Sequence, residues 1–283
     1  MFKVIMLIVL YNKKIEDSTT INSLLNSNTS NLSVIIHNNG PYNVTLTDSL
    51  ESTFKKNNID IHVVNCLDNK PLAFLYNDFV NDNTGFDYYC FFDDDTEINF
   101  CYIQNIFERE RDIELPKIIS KIDSLQYYPL LNGAVFTEDG TIVGNNIFSI
   151  GSGLLINRNV VNIFCKYNLS LFDEHFALYG VDFSFFRRLI LLKNKGERFV
   201  ITSNSSLQHS LSKVEKKQSA FRRRERLIDF VLTVRHYPTI RLYLALIKRF
   251  IIESSCLRVG DVILMIKTFT IGMHYKCKKW KRI

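Results

Sequence analysis

Four near-continuous apolar segments, Val4–Leu10, Leu32–Ile36, Asp60–Val64 and Tyr88–Phe92, recur through the first 92 residues, and each is followed by an amphipathic or polar stretch. Side chains of a strand alternate between its two faces, so apolar residues at successive positions mark a strand buried on both. Between these segments, Ile21/Leu24/Leu25, Leu46/Leu50/Phe54 and Leu72/Leu75/Phe79 recur at three- and four-residue spacing. That spacing gathers them on one face of a helix. Strand–helix alternation predicts an α/β fold with a Rossmann-like, mostly parallel sheet and helices on both sides. Ligands of such sheets bind beyond the carboxyl ends of the strands. Polar clusters stand at those positions: Tyr11-Asn12, Asn38-Asn39-Gly40 and Asp93-Asp94-Asp95.

The middle of the chain is less regular. Phe148–Ile156 reads as a strand interrupted by Gly151 and Gly153, and Asn159–Lys166 as a short helix. Asp182–Leu192 is a clearer helix, with Phe183, Phe186, Leu189 and Ile190 on one face and Arg187 and Arg188 on the other. Arg198–Thr202 supplies a further strand, followed by the polar run Ser203–Ser206 and His209. Gly151-Ser152-Gly153 lacks the third glycine and the helix of a dinucleotide fingerprint, and the sequence has no P-loop.

Hydrophobic residues at 46% and charged residues at 23% are the proportions of a globular protein. The six cysteines, mostly flanked by apolar residues, form no C-x-x-C pair and read as reduced core thiols of a cytosolic protein. Val4–Tyr11 has no small-residue cleavage site after it and reads as a buried first strand. No apolar run reaches the roughly 18 residues that span a bilayer.

Charge divides the chain. From Lys213 onward there are 18 Lys+Arg against 5 Asp+Glu, whereas the preceding 212 residues carry 17 against 24. Residues 213–283 therefore read as a basic amphipathic helical tail on a 1–212 body. Apolar residues such as Phe230, Val234, Leu242 and Leu246 alternate there with Arg235, Arg241, Lys248 and Arg249, and Trp280 lies in the terminal basic run. Helices of this kind fit an anionic membrane surface, which predicts a cytoplasmic protein held peripherally on the inner face of the cell membrane. Packing of the tail on the body is the other reading. No recognised motif supports nucleic acid as a partner. Arg222-Arg223-Arg224 reads either as a phosphate clamp or as a solvated face.

Asp93-Asp94-Asp95 carries the chemistry. Adjacent carboxylates at a strand end repel by several kcal/mol at an effective dielectric of about 20. A hard divalent cation, which prefers carboxylate, phosphate and water oxygens, removes that cost and can hold a diphosphate. A solvated acidic turn is the alternative. A haloacid-dehalogenase-type phosphotransferase does not fit, because Thr96 falls one place too early and Glu97 occupies the required position.

Asn38-Asn39-Gly40, Phe92-Asp93-Asp94-Asp95, Ile150-Gly151-Ser152-Gly153-Leu154-Leu155-Ile156, Leu171-Phe172-Asp173-Glu174 and Tyr179-Gly180-Val181-Asp182 occur in the order typical of family 2 glycosyltransferases. Over roughly residues 1–235 the chain resembles this family, which has the GT-A fold and includes the enzymes that build bacterial O-antigen and capsule. The resemblance implies an inverting transfer from a UDP- or dTDP-sugar to a hydroxyl of a polyprenyl-diphosphate-linked saccharide. It implies that Tyr11, Asn38, Asp93 and Asp95 bind the donor, that Asp95 and His209 hold Mg²⁺ or Mn²⁺, and that Asp182 is the catalytic base. Asp94 is a spacer on this reading. Val181 stands where the family carries Glu, and Asn38 where it usually carries Asp. For Asp182 a helix N-cap, and for His209 an internally satisfied imidazole, are the structural readings. A non-catalytic nucleotide-sugar-binding protein and a related nucleotidyltransferase are the functional alternatives. The latter needs a glycine-rich basic loop after the first strand, and Tyr11-Asn12-Lys13-Lys14 has no glycine.

Overall fold

The computed structural model describes residues 2–27, 31–108, 110–211 and 219–280. The chain forms two compact units: residues 1–69, 79–169 and 189–214 make the first, and residues 70–78, 170–188 and 215–283 the second. The boundary expected after residue 212 lies outside the described residues, as do Lys281 and Arg282 of the terminal basic run.

The first unit is built on β1 (Val4–Leu10), β2 (Leu32–Asn38), β3 (Ile59–Asn65) and β4 (Tyr88–Asp93). Helices α1 (Thr19–Leu25) and α2 (Asp48–Lys56) follow β1 and β2, while most of α3 (Leu72–Asp82), between β3 and β4 in sequence, belongs to the second unit. β1 pairs in parallel with β2 and β4, and β2 with β3. Leu10 lies opposite Asn38, Asn38 opposite Asn65, and Val9 opposite Asp93, so the carboxyl ends of four strands finish level along one edge. β1 is buried throughout, and β4 throughout except Asp93. β2 and β3 depart from the expectation of strands buried on both faces. β2 buries alternate residues, and β3 exposes Asp60, His62 and Val64 because it is the edge strand of the sheet.

The chain continues through β5 (Thr96–Glu97), α4 (Phe100–Glu108), β6 (Ile113–Glu114), β7 (Lys117–Ser120) and β8 (Gln126–Tyr128). Four short strands follow: β9 (Leu130–Leu131), β10 (Ala134–Val135), β11 (Gly140–Thr141) and β12 (Ile147–Phe148). Then come β13 (Leu154–Asn157), α5 (Arg158–Lys166), α6 (Val181–Asn194), β14 (Ile201–Ser203) and β15 (Ser206–His209). The main sheet has eight strands in the order β11-β14-β6-β13-β4-β1-β2-β3, with β13 antiparallel to both β4 and β6. A four-stranded sheet, β5-β15-β7-β8, stands beside it. The single strand expected over Phe148–Ile156 is instead β12 and β13 with a turn between them. The polar run expected after residue 202 is itself partly a strand, β15.

In the second unit, α7 (Ala220–His236), α8 (Ile240–Ser255) and α9 (Val259–Ile271) pack pairwise. Ser219 and Thr239 cap α7 and α8 by accepting from the Arg222 and Leu242 N–H groups. Pro238, which has no N–H to donate, falls between α7 and α8. Leu227, Val231 and Met265 are buried together with Phe230, Leu246 and Phe269 against them. No helix among the described residues is long and apolar enough to cross a membrane.

The polar core of this unit centres on Asp173, which is 3% exposed. Its carboxylate meets His175 Nδ1 at 2.6 Å, Arg188 Nη2 at 3.1 Å and the Tyr237 hydroxyl at 2.7 Å. Burial alone would raise its pKa. The His175 hydrogen bond, the Arg188 charge and the Tyr237 hydroxyl outweigh burial and hold it well below the usual carboxylate range. Arg188, expected on the helix face opposite the apolar one, is buried as the partner of a buried acid, and Phe185 is fully buried where Phe183 was expected. Gly180 precedes α6 at φ +79°, and a Cβ there would stand 1.8 Å from Asp229 Oδ1. The cysteines also differ from expectation: Cys90 and Cys277 are buried, while Cys101, Cys165 and Cys256 are exposed on helical or loop surfaces.

Removing Asp173 strands a buried guanidinium, a change that costs about 3–5 kcal/mol. Asp173→Ala should therefore lower the thermal unfolding midpoint strongly. A carboxylate with a depressed folded pKa stabilises fully above the unfolded value of about 3.9, and that contribution is lost as the pH falls through the lower folded one. The wild-type stability–pH curve should fall steeply in acid, and the Asp173→Asn curve should be flatter. An unchanged midpoint and slope would exclude the hub. Gly180→Ala should cost at least about 1 kcal/mol from its backbone angle, and more as Asp229 is displaced. An unshifted midpoint for this variant would contradict the close approach.

Candidate active site

The carboxyl edge of the parallel strands carries the expected polar residues. β4 ends at Asp93, and the chain turns through Asp94 and Asp95 before entering β5. This turn is held from the start of α1. The Thr20 hydroxyl donates to the Asp93 carbonyl at 2.5 Å and accepts from the Thr96 N–H at 2.9 Å. The Ser18 hydroxyl and the Thr20 N–H both donate to the Asp94 carbonyl, at 3.0 and 3.3 Å. Ser18 also caps α1 through the Ile21 N–H. A like-charged turn is thereby fixed by groups that satisfy its backbone.

β5 pairs antiparallel with β15, which sets His209 directly opposite Thr96. The Thr96 hydroxyl lies 2.8 Å from His209 Nδ1 and 2.5 Å from Ser152 Oγ, and Ser152 Oγ accepts from the Asp93 N–H at 3.2 Å. Gly153 lets Ser152 take this position. Its φ is +83°, and a Cβ would meet Leu207 Cδ1 at 2.5 Å and Pro116 Cγ at 2.6 Å. The interrupting glycine of the sequence motif therefore serves the acidic turn.

Asp93, Asp95 and His209 each place one ligand atom within 4.8 Å of the others, an arrangement that can hold a divalent cation. Asp95 Oδ1 is a buried oxygen 3.2 Å from His209 Nδ1, yet it accepts no hydrogen bond among the described residues, so its lone pairs suit a metal. Burial raises the Asp95 carboxyl above its ordinary range. His209 and Lys13 oppose that shift, and Asp94 adds to it. Burial lowers the His209 imidazole, with Asp95 opposing and Lys121 adding. A neutral imidazole is the form that ligates metals.

Asp94 is more than a spacer. It pairs with Lys13 Nζ at 2.9 Å, so one of the three charges is neutralised from the β1–α1 connection. Lys121 Nζ donates to the Asp95 carbonyl at 3.3 Å and lies 3.9 Å from Glu97. The repulsion that pointed to a cation is thus partly relieved by the chain's own lysines, and Asp93 and Asp95 are the pair set beside His209.

Tyr11 and Asn38 lie at the ends of neighbouring strands on the same edge. Tyr11 is 53% exposed. Asn38 is only 1% exposed. Its Nδ2 donates to the Tyr42 carbonyl at 2.6 Å and to Asn65 Oδ1 at 2.7 Å, and its Oδ1 accepts from the Gly40 N–H at 3.2 Å. Asn38, expected to bind the donor, thus also shapes the loop that follows β2. Asp182 is the second residue of α6, in the second unit and partly buried. Because α6 starts at Val181, Asp182 sits in the first turn and not at the cap.

Sequence reasoning missed Lys13, Thr20, Thr96, Lys121 and Ser152. Thr96, next to the triplet, and Ser152, between the two glycines of a quoted motif, had a local signal. The others are brought in by strand pairing and by the start of α1.

No protein-family model and no curated protein matches this sequence. Solved structures do. GalNAc-T7 with UDP, GalNAc and Mn²⁺ aligns at a TM-score of 0.55 and 13% identity, over 96% of this chain and 55% of that one. A 1–349 form of S. aureus TarS aligns at 0.54 and 11%, over 96% and 93%. A longer S. aureus TarS aligns at 0.52 and 12%, over 83% and 44%, so this chain spans less than half of that protein. At these identities the likeness is one of fold: the chain has the mixed α/β GT-A architecture of nucleotide-sugar transferases.

Proposed function

We propose that the chain is an inverting, metal-dependent glycosyltransferase that moves a sugar from a UDP- or dTDP-sugar to a hydroxyl of a polyprenyl-diphosphate-linked saccharide. The observation that carries this reading is the Asp93–Asp95–His209 group at the carboxyl edge of a parallel sheet in a GT-A fold. Building O-antigen or capsule is the setting that the motif order supports.

Asp93, Asp95 and His209 would hold Mg²⁺ or Mn²⁺, which would supply charge stabilisation to the diphosphate of the donor. Tyr11, exposed beside β1, offers a ring face to the nucleotide base, and Asn38 holds the 38–44 loop that borders it. The Asp182 carboxylate takes the proton of the acceptor hydroxyl as that oxygen bonds to the anomeric carbon. The bond from that carbon to the diphosphate breaks, and the nucleoside diphosphate leaves with the electron pair. Attack opposite the leaving group inverts the anomeric configuration.

A membrane-surface location fits the second unit. On α8, Ile240, Leu244, Ile247 and Ile251 recur at helical spacing and are each more than half exposed, with Arg241 and Lys248 interleaved. The stripe supports attachment to a membrane surface, and the cytoplasmic face is the side we propose.

Asp95→Ala should abolish Mn²⁺ binding measured by calorimetry and cut donor turnover by about a hundredfold or more. Full transfer with unchanged metal dependence would sink the assignment. Asp182→Asn should lower kcat by about 10²–10⁴-fold while metal and nucleotide affinities stay at wild-type values. A wild-type kcat would remove Asp182 from the chemistry. Turnover of a nucleotide-sugar panel followed by nucleotide release, with product configuration read by NMR, separates transfer from mere binding.

A further inference from the structure

Between α7 and α8 lies a cavity of about 400 Å³ whose wall combines Arg223, Arg226, Lys248 and Arg249 with the apolar side chains of Leu227 and Ile252. We propose that this groove binds the diphosphate and first isoprene units of a polyprenyl-diphosphate lipid; the proposal rests on the lipid-linked acceptor reading above and names where its lipid end is held.

Three features carry it. The first is charge. Four cations line the groove, and among the described residues Glu253 and Asp261 pair with two of them, Arg223 and Arg249. Glu253 is fully buried and contacts Arg223 at 3.8 Å and Arg249 at 2.7 Å, while Asp261 pairs with Arg223 and, at 3.5 Å, with Arg224. Four cations gathered along one groove suit the two charges of a diphosphate diester better than the single charge of a bilayer phosphodiester. The second is preorganisation. Glu253 holds the guanidiniums of Arg223 and Arg249 in place, so less side-chain freedom is lost when an anion binds. Arg249 Nε is buried and donates to no acceptor among the described residues.

The third is position on the helix. Ala245, Lys248, Arg249 and Ile252 form the α8 wall of the groove, at i, i+3, i+4 and i+7. The exposed stripe Ile240–Leu244–Ile247–Ile251 is offset from that row by one residue, or about 100° around the helix. A helix lying on a membrane by the stripe would present the groove at the lipid–water boundary, where a prenyl diphosphate places its charged group. A volume of this size belongs to the range of small-ligand sites.

Farnesyl diphosphate is the probe, with inorganic pyrophosphate and phosphatidylglycerol vesicles as comparison arms, each titrated against the full chain. Wild-type protein should bind farnesyl diphosphate more tightly than pyrophosphate, because the apolar wall contributes. Lys248→Glu should weaken farnesyl diphosphate about tenfold or more by removing one charge-assisted contact and adding a repulsive one. Ala245→Trp, which fills the groove without altering charge, should weaken it likewise and leave Mn²⁺-dependent UDP binding untouched. Equal affinity for pyrophosphate and farnesyl diphosphate, or vesicle binding that falls with Lys248→Glu while farnesyl diphosphate never binds, would overturn the site in favour of diffuse surface electrostatics. Unaltered farnesyl diphosphate binding in both variants would overturn it too. Groove-dependent binding without transfer to any lipid-linked saccharide would instead refute the acceptor reading and leave the groove standing.

Discussion

The candidate site depends on the hydroxyl of Thr20, which bridges the two ends of the acidic turn by donating to the Asp93 carbonyl and accepting from the Thr96 N–H. Three consecutive carboxylates favour an extended, solvated turn in which they separate. Here the backbone is pinned at Asp93, Asp94 and Thr96 by the first residues of α1, and Lys13 from the preceding connection neutralises Asp94. The cost of crowding the charges is met by contacts from one neighbouring loop. That loop follows β1, so the parallel pairing of β1 with β4 is what delivers it.

Once the turn is fixed, the rest of the constellation follows from pairing geometry. Thr96 begins β5, whose antiparallel register with β15 brings His209 to its side, 113 residues later in sequence. Ser152 reaches the same hydroxyl from the turn before β13, itself antiparallel to β4. Three hydrogen-bonding side chains from distant segments meet at one threonine. A buried polar network of this kind is valuable only when all members are satisfied, and the oxygen left over is on Asp95, the one suited to a cation.

What the sequence made legible was governed by local pattern. The strands β1 and β4 could be read from continuous apolar runs because both their faces are buried. β3 has an equally apolar look in part, yet its place at the sheet edge is decided by strand order, which no single segment encodes. Asp93, Asp95 and His209 could be singled out because residue type and position at strand ends are local facts. Their supports could not. Thr20 and Ser152 are ordinary hydroxyl residues until pairing sets them against the turn. Asn38 was identified by position, but its polar atoms are engaged by Tyr42, Gly40 and Asn65, a contact set that arises only when β2 and β3 end level.

The second unit shows why charge counts alone mislead. Its excess of Lys and Arg predicts a solvated, repulsive surface, and yet Asp173, Glu225, Glu253 and Asp261 are all buried within it. Each has at least one cationic or imidazole partner: Arg188 and His175 for Asp173, His274 for Glu225, Arg223, Arg249 and Arg258 for Glu253, and Arg223 for Asp261. A few acids thereby convert part of the basic excess into internal, orienting contacts, since a buried carboxylate without such partners would lose more in desolvation than it gained. The cations beyond that internal demand are concentrated on α7, α8 and the segment after α9. Exposed apolar rows on α8 and α9 lie beside them in sequence. Were the basic residues there only for solubility, they would not need to share helices with exposed isoleucine and leucine. Their interleaving is the arrangement that the proposed amphiphilic, negatively charged partner would use.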